Sequence, residues 1–111
     1  MPTPPRILGT FRITEMDEYD QNLVDAEVEG YIRFDSATTG EFQFGYVCGQ
    51  MTIEQTTRDG KPAAEWSWEG NDEMDQASGR GWAILQKDGS LKGKIFLHSG
   101  DSSAFSAMKK K

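Results

Sequence analysis

The chain reads as an all-β protein, an antiparallel meander of about seven strands curled into a small barrel or half-barrel, with a short helical insertion after the first strand. Three observations carry this reading. Apolar and polar residues alternate with a period of two through most of residues 7–98, as in strands with one buried face. The alternating segments are joined by short turn signals, two of them Asp-Gly pairs, and short connections make sequential strands antiparallel neighbours. Glycines recur within the strand patterns, where they allow bending, and curling removes or shortens the edges that a flat sheet would expose. A two-layer sandwich of the same strands is the alternative.

Residues 1–6 hold three of the four prolines and form a flexible leader. Ile7, Phe11 and Ile13 make the inner face of a first strand over 7–14. The period changes over 15–25, where Met16, Tyr19 and Leu23 share a helical face and acids crowd the first turn, predicting a short helix or lid. Val28, Gly30, Ile32 and Phe34 give a second strand. After the turn Asp35–Gly40, Phe42, Phe44, Tyr46 and Cys48 continue as a third, and Met51 and Ile53 as a fourth. Asp59-Gly60 is a tight-turn signal, and Ala64, Trp66 and Trp68 face one way on the fifth strand while Glu65 and Glu69 face the other. Residues 70–79 (GNDEMDQASG) read as the longest loop. In the sixth strand, 80–87, Trp82 and Ile84 oppose Gly81, Ala83 and Leu85, so both faces are apolar. Asp88-Gly89 turns into the seventh, with Leu91, Ile95 and Leu97 inside and Lys92, Lys94, Phe96 and His98 on the other face. The single domain spans 7–105, and 106–111 read as a disordered basic tail.

At 111 residues the chain supports one hydrophobic core, and no apolar tract has membrane-spanning length. The net charge of −6 disfavours a polyanionic partner such as nucleic acid. That charge is uneven: residues 1–78 carry net −11 and residues 79–111 net +5. If the chain ends pair in a sheet, the two regions partly neutralise each other; otherwise a basic edge is open to an acidic partner. The lone Cys48 permits no internal disulfide and sits in an apolar pattern, so an inert core thiol in a reducing, cytoplasmic setting is expected. His98, the only histidine, has no cysteine or histidine at ligand spacing. The reading contains no cofactor, no metal site and no catalytic residue set, and therefore no enzyme.

Two resemblances attach to particular residues. Gly9-Thr10-Phe11, opening the first strand ahead of a helical insertion, resembles the Gly-x-Trp start of the calycin barrels, the lipocalins and fatty-acid-binding proteins, with Phe in place of Trp. It implies an up-and-down barrel and a small apolar ligand inside, although the Phe and Trp side chains expected inward would fill so small a barrel. The segments Gly40–Gly45 (GEFQFG), Trp66–Asp75 (WSWEGNDEMD) and Gly79–Trp82 (GRGW) look like those of a family of small bacterial proteins with no assigned activity. That likeness runs across most of residues 7–105 and implies a bacterial source and a self-contained domain.

Candidate binding residues lie on and beside the acidic loop: Glu69, Asn71, Asp72, Glu73, Asp75 and Arg80. They offer oxygen ligands for a cation without the spacing of a calcium loop, paired carboxylates for acid–base work, or turn caps with Arg80 ion-paired to Glu69 or Asp72. Trp66 and Trp68 are expected in the core, whereas Trp82, with Phe96 and His98, is a candidate for a partner or subunit surface. The functional expectation is a non-catalytic binding or interaction module that binds a protein partner or itself as a homodimer. A calycin-like barrel holding a small apolar ligand is the alternative.

Overall fold

Eight strands close into a barrel in the computed structural model, which describes residues 7–98, 100 and 102–110. The leader expected over 1–6 lies outside the described residues. In chain order the elements are β1 (Gly9–Met16), α1 (Gln21–Val24), β2 (Tyr31–Phe34), β3 (Thr39–Phe44), β4 (Val47–Arg58), β5 (Lys61–Asp72), β6 (Asp75–Leu85), β7 (Leu91–Leu97) and β8 (Ser102–Lys109). Each strand pairs antiparallel with the next, and β8 returns to pair with β1, so the sheet has no free edge. The meander is as the alternation predicts, and the closed barrel excludes the sandwich.

The eighth strand corrects the expected tail. Ser103, Phe105 and Ala107 are buried while Met108, Lys109 and Lys110 are exposed, and residues 106–109 register against β1 from Phe11 to Glu15. Small side chains, two apolar residues and terminal lysines hid a strand whose partners are at the opposite end of the chain. The loop expected over 70–79 is likewise paired: Glu69 to Asp72 continue β5 and face Asp75 to Ser78 of β6, leaving only Glu73 and Met74 as a turn. Glu73 takes a left-handed φ of 58° that glycine ordinarily supplies, and its N–H donates to the Tyr46 carbonyl at 2.9 Å.

A third correction concerns residues 42–48. The chain reverses at Gly45-Tyr46, with Gly45 at φ 57°, so the single strand expected there is two. Reversal also changes the facing: Val47, Gly49, Met51 and Ile53 point inward, and Cys48 is a half-exposed outward residue rather than a core thiol.

Inside the barrel, large aromatics lie across from glycines. Phe34 is registered opposite Gly9 and Gly40, Phe42 opposite Gly49, Trp66 opposite Gly81, Trp68 opposite Gly79 and Phe105 opposite Gly93. All but Phe34 lie against the space a side chain would take: a Cβ on Gly81 would come within 2.5 Å of the Trp66 indole, and one on Gly49 within 2.6 Å of Trp68. Ring-to-ring contacts then cross the interior in two chains, Phe11–Phe34–Trp66 and Trp68–Phe42–Phe44–Tyr19, with centroids 5.0 to 6.0 Å apart. Trp66 and Trp68 are thus core, as expected, and they fill the barrel.

Both mouths are stoppered. At one, Ile7 is 1% exposed and its backbone exchanges two hydrogen bonds with the Gln55 amide. At the other, α1 forms a single-turn lid: Asp20 caps it by accepting from the Leu23 N–H, Val24 is fully buried, and the Val24 carbonyl accepts from Gly45 N–H at 2.7 Å. The lid buries Val24 where the helical pattern suggested Leu23, which is exposed.

Asp25 ties the lid to β2. Its carboxylate accepts from the Gly30 N–H at 2.8 Å and the Gln21 amide at 3.0 Å, with the Arg12 guanidinium 3.6 Å away. These donors, Gly30 first, hold its pKa below the usual aspartate value. A folded pKa below the unfolded one stabilises at pH above the unfolded value and is lost as pH falls through the folded value. Asp25→Asn should therefore melt lower than wild type at neutral pH, with the gap shrinking below about pH 4; melting curves at both pH values check this, and a pH-independent gap contradicts it.

Candidate functional site

Because the interior is filled, chemistry or recognition falls to the outer face, whose residues are set by strand register. Directly opposed residues point the same way, so the pairings of β5, β6 and β7 define rows across the outside of the barrel. One row reads Glu65–Trp82–Lys94, the next Ser67–Arg80–Phe96, and the third Glu69–Ser78–His98. The β4 residues Glu54, Thr52 and Gln50 extend these rows on the β5 side.

Five of the nine candidate residues come together here: Trp82, Arg80, Phe96, His98 and Glu69. Trp82 and Phe96 are half-buried, and each lies under a cation. The Arg58 guanidinium sits 4.8 Å from the Trp82 ring centroid while reaching Glu65 at 3.9 Å, and the Lys94 ammonium lies 5.2 Å from the Phe96 ring. His98 Nδ1 is 3.3 Å from Ser78 Oγ, and its backbone N–H donates to the Ser78 carbonyl. Shallow grooves run along the face, one of about 490 Å³ between Gln50, Thr52, Ser67, Glu69, Arg80 and His98, and one of about 270 Å³ between Arg58, Glu65, Arg80, Trp82 and Phe96.

The other four candidates, Asn71, Asp72, Glu73 and Asp75, stand at the β5–β6 tip. Strand alternation divides the acids: Asn71 shares a side with Glu69, Asp72 and Asp75 face each other on the opposite side, and Glu73 is in the turn. Among the described residues no three His, Cys, Asp or Glu side chains gather closely enough to hold a metal ion. Asp72 and Asp75, with Glu69, Ser78, Leu97 and His98, border a groove of about 410 Å³ open to solvent.

The expected ion pair of Arg80 with Glu69 or Asp72 does not form among the described residues. Register is the reason: Arg80 is placed opposite Ser67 and Phe96, Glu69 opposite Gln50 and Ser78, and Asp72 opposite Val47 and Asp75. Ser78 and His98 form a serine–imidazole contact, but Glu69 flanks the serine rather than the far side of the imidazole, unlike the order of a hydrolytic triad.

Arg58, Glu65, Ser67 and Ser78 belong to this face and were missed among the candidates, while Lys94 joins Phe96 and His98 on it as the alternation in β7 places them. The signal was present in the alternation itself: once β4 to β7 are registered with one another, these residues fall on the outer face beside Trp82 and Phe96. No protein-family model matches the chain, and no curated protein is significantly similar to it.

Arg80→Ala should leave stability within about 0.5 kcal/mol of wild type, as for a surface position without a partner. Urea unfolding checks this, and a loss above that value would restore the ion pair expected from the sequence.

Proposed function

We propose that the protein is a non-catalytic interaction module, and that the outer face of β5, β6 and β7 is its binding surface. The observation that carries the reading is Arg80, an exposed cation without an ion pair among the described residues, registered opposite the half-buried Phe96 and two positions along β6 from the half-buried Trp82. Tryptophan and arginine contribute heavily to protein–protein interfaces when water is excluded around them. Lys94 adds a second cation without an ion pair among the described residues, and the grooves beside Arg80 are open to solvent and can take side chains of a partner. A closed barrel is a rigid platform for such a face.

The alternative, an apolar ligand inside the barrel, competes for space with the aromatic rings opposite the glycines. An apolar depression of about 240 Å³ outside the Ile7 mouth, between Leu8, Phe11, Leu85 and Lys109, is below the usual ligand-pocket range of roughly 300–1,000 Å³. A cytoplasmic setting belongs to the same proposal and is supported by the half-exposed free thiol of Cys48, which suits a reducing compartment. The helices among the described residues include none long and apolar enough to cross a membrane.

The test is affinity capture from cell extract with immobilised wild type, Arg80→Glu, Phe96→Ala and, as a control on the exposed β8 side, Met108→Ala. Retained proteins should be lost on the first two variants and kept on the control. Equal retention by all four, or an apolar molecule co-purifying with the wild type, would overturn the proposal.

A further inference from the structure

The outer face is graded in charge across its width. On the β4–β5 side stand Glu54, Glu65 and Glu69; Trp82 and Arg80 occupy the centre on β6; Lys92, Lys94 and His98 stand on the β7 side. Two rows run from acid to base across the same three strands, Glu65–Trp82–Lys94 and Glu69–Ser78–His98. A surface with this order is complementary to itself under one operation. If a second copy is turned by 180° about an axis lying in the contact plane parallel to β6, each row meets its own reverse. Lys94 of one copy then lies over Glu65 of the other, His98 over Glu69, and Trp82 over Trp82. A two-fold axis across the strands would instead set acids against acids and lysines against lysines.

We infer that this face is a two-fold self-association surface in which β6 of one copy packs along β6 of the other. The inference rests on the proposed reading of the face as a binding surface and names its occupant as a second copy of the chain. It follows the rule that two-fold interfaces use the same patch on both partners, and it places Trp82 at the axis, Phe96 over Ser67 of the other copy, and Glu65, Glu69 and Lys94 at the flanks. Arg80 meets Arg80 near the axis. The Arg58 guanidinium over each Trp82 ring comes to the axis as well, and these like-charge encounters are opposed by two Glu65–Lys94 encounters, by the pairing of Arg58 with Glu65, and by Glu65 and Glu69 one row to either side of Arg80.

Size sets the strength. Three strands about 4.8 Å apart, over nine residues rising about 3.3 Å each, give a strip of roughly 14 by 30 Å. Such a footprint belongs to the small, reversible class of interfaces. The net charge of −6 per copy opposes approach at long range, but at physiological ionic strength that repulsion is screened beyond about 8 Å. Association should therefore be concentration-dependent and fast, with Trp82 desolvated in the dimer.

Sedimentation velocity over a wide concentration series tests this on the wild type, Glu65→Lys, Lys94→Glu, the double variant carrying both, and an equimolar mixture of the two single variants. Wild type should rise toward twice the chain mass of 12.4 kDa with increasing concentration. Each single variant should lose association, because reversal puts like charges opposite each other. The double variant and the mixture should regain it, since both restore opposite charges at the same two positions. Both substituted positions, 65 and 94, are on the outer face, and unchanged circular dichroism spectra confirm that each chain is folded. A wild type monomeric throughout the series overturns the inference, as does association that charge reversal does not affect. If extract capture through Arg80 and Phe96 persists while the wild type stays monomeric, the binding face stands and its partner is a different protein.

Discussion

Aromatic side chains resting on glycines across the strand pairing are the constraint on which the rest of this structure depends. An eight-stranded barrel has an interior just wide enough for side chains to fill, and a set composed only of large residues would not fit within it. Here Phe42, Trp66, Trp68 and Phe105 each face glycine on a paired strand and lie against it. The missing side chain makes room for the ring, and the bare backbone lets the sheet bend sharply enough to close. Trp68 shows how far this goes: its indole crosses Gly79 and donates to the Phe96 carbonyl on the next strand at 3.1 Å. Trp66, over Gly81, has a buried N–H without a hydrogen-bond partner among the described residues, a local loss of about 1–3 kcal/mol that ring burial outweighs.

Closure places the two ends of the chain side by side, which accounts for the uneven charge. Lys110 beside the end of β8 reaches Glu29 at 3.0 Å, and Arg12 on β1 reaches Glu29 and Asp25. Part of the contrast between an acidic first two thirds and a basic last third is therefore spent on cross-strand neutralisation. The remainder lies on the outer face, where the basic β7 runs beside β6 and the acidic β5 on its other side. Filling the interior and grading the exterior are consequences of one register: the same pairing that sets Trp66 on Gly81 also sets Glu65 opposite Trp82.

Much of the fold was legible because period-two alternation is a strong signal wherever one face is buried, as for Ile7, Phe11 and Ile13 or Leu91, Ile95 and Leu97. The failures have physical causes. Glu73-Met74 turns the β5–β6 hairpin without glycine, asparagine or proline, so nothing marked the reversal and the acids were assigned to a loop. Gly45 was read as a bending residue inside a strand although its φ of 57° reverses the chain there. Ser102 to Lys109 alternate small residues whose burial depends on Phe105 meeting Gly93 and on β1, whose paired residues lie 89 to 98 positions away in sequence. The candidate surface was legible as a list of outward residues. Its rows were not, since they require the register of three strands and the two-residue turn that fixes it.

The most direct measurement is a double-mutant cycle on Trp66 and Gly81, followed by urea unfolding. Gly81 has an ordinary strand conformation, and the three atoms nearest an added Cβ all belong to the Trp66 indole, the closest at 2.5 Å. In the wild-type background Gly81→Ala should destabilise by about 1–3 kcal/mol. In a Trp66→Ala background, itself about 3–5 kcal/mol less stable, the added methyl enters vacated space and its penalty should vanish. Additive losses, with Gly81→Ala equally harmful in both backgrounds, would show that ring-over-glycine packing is not what closes the barrel.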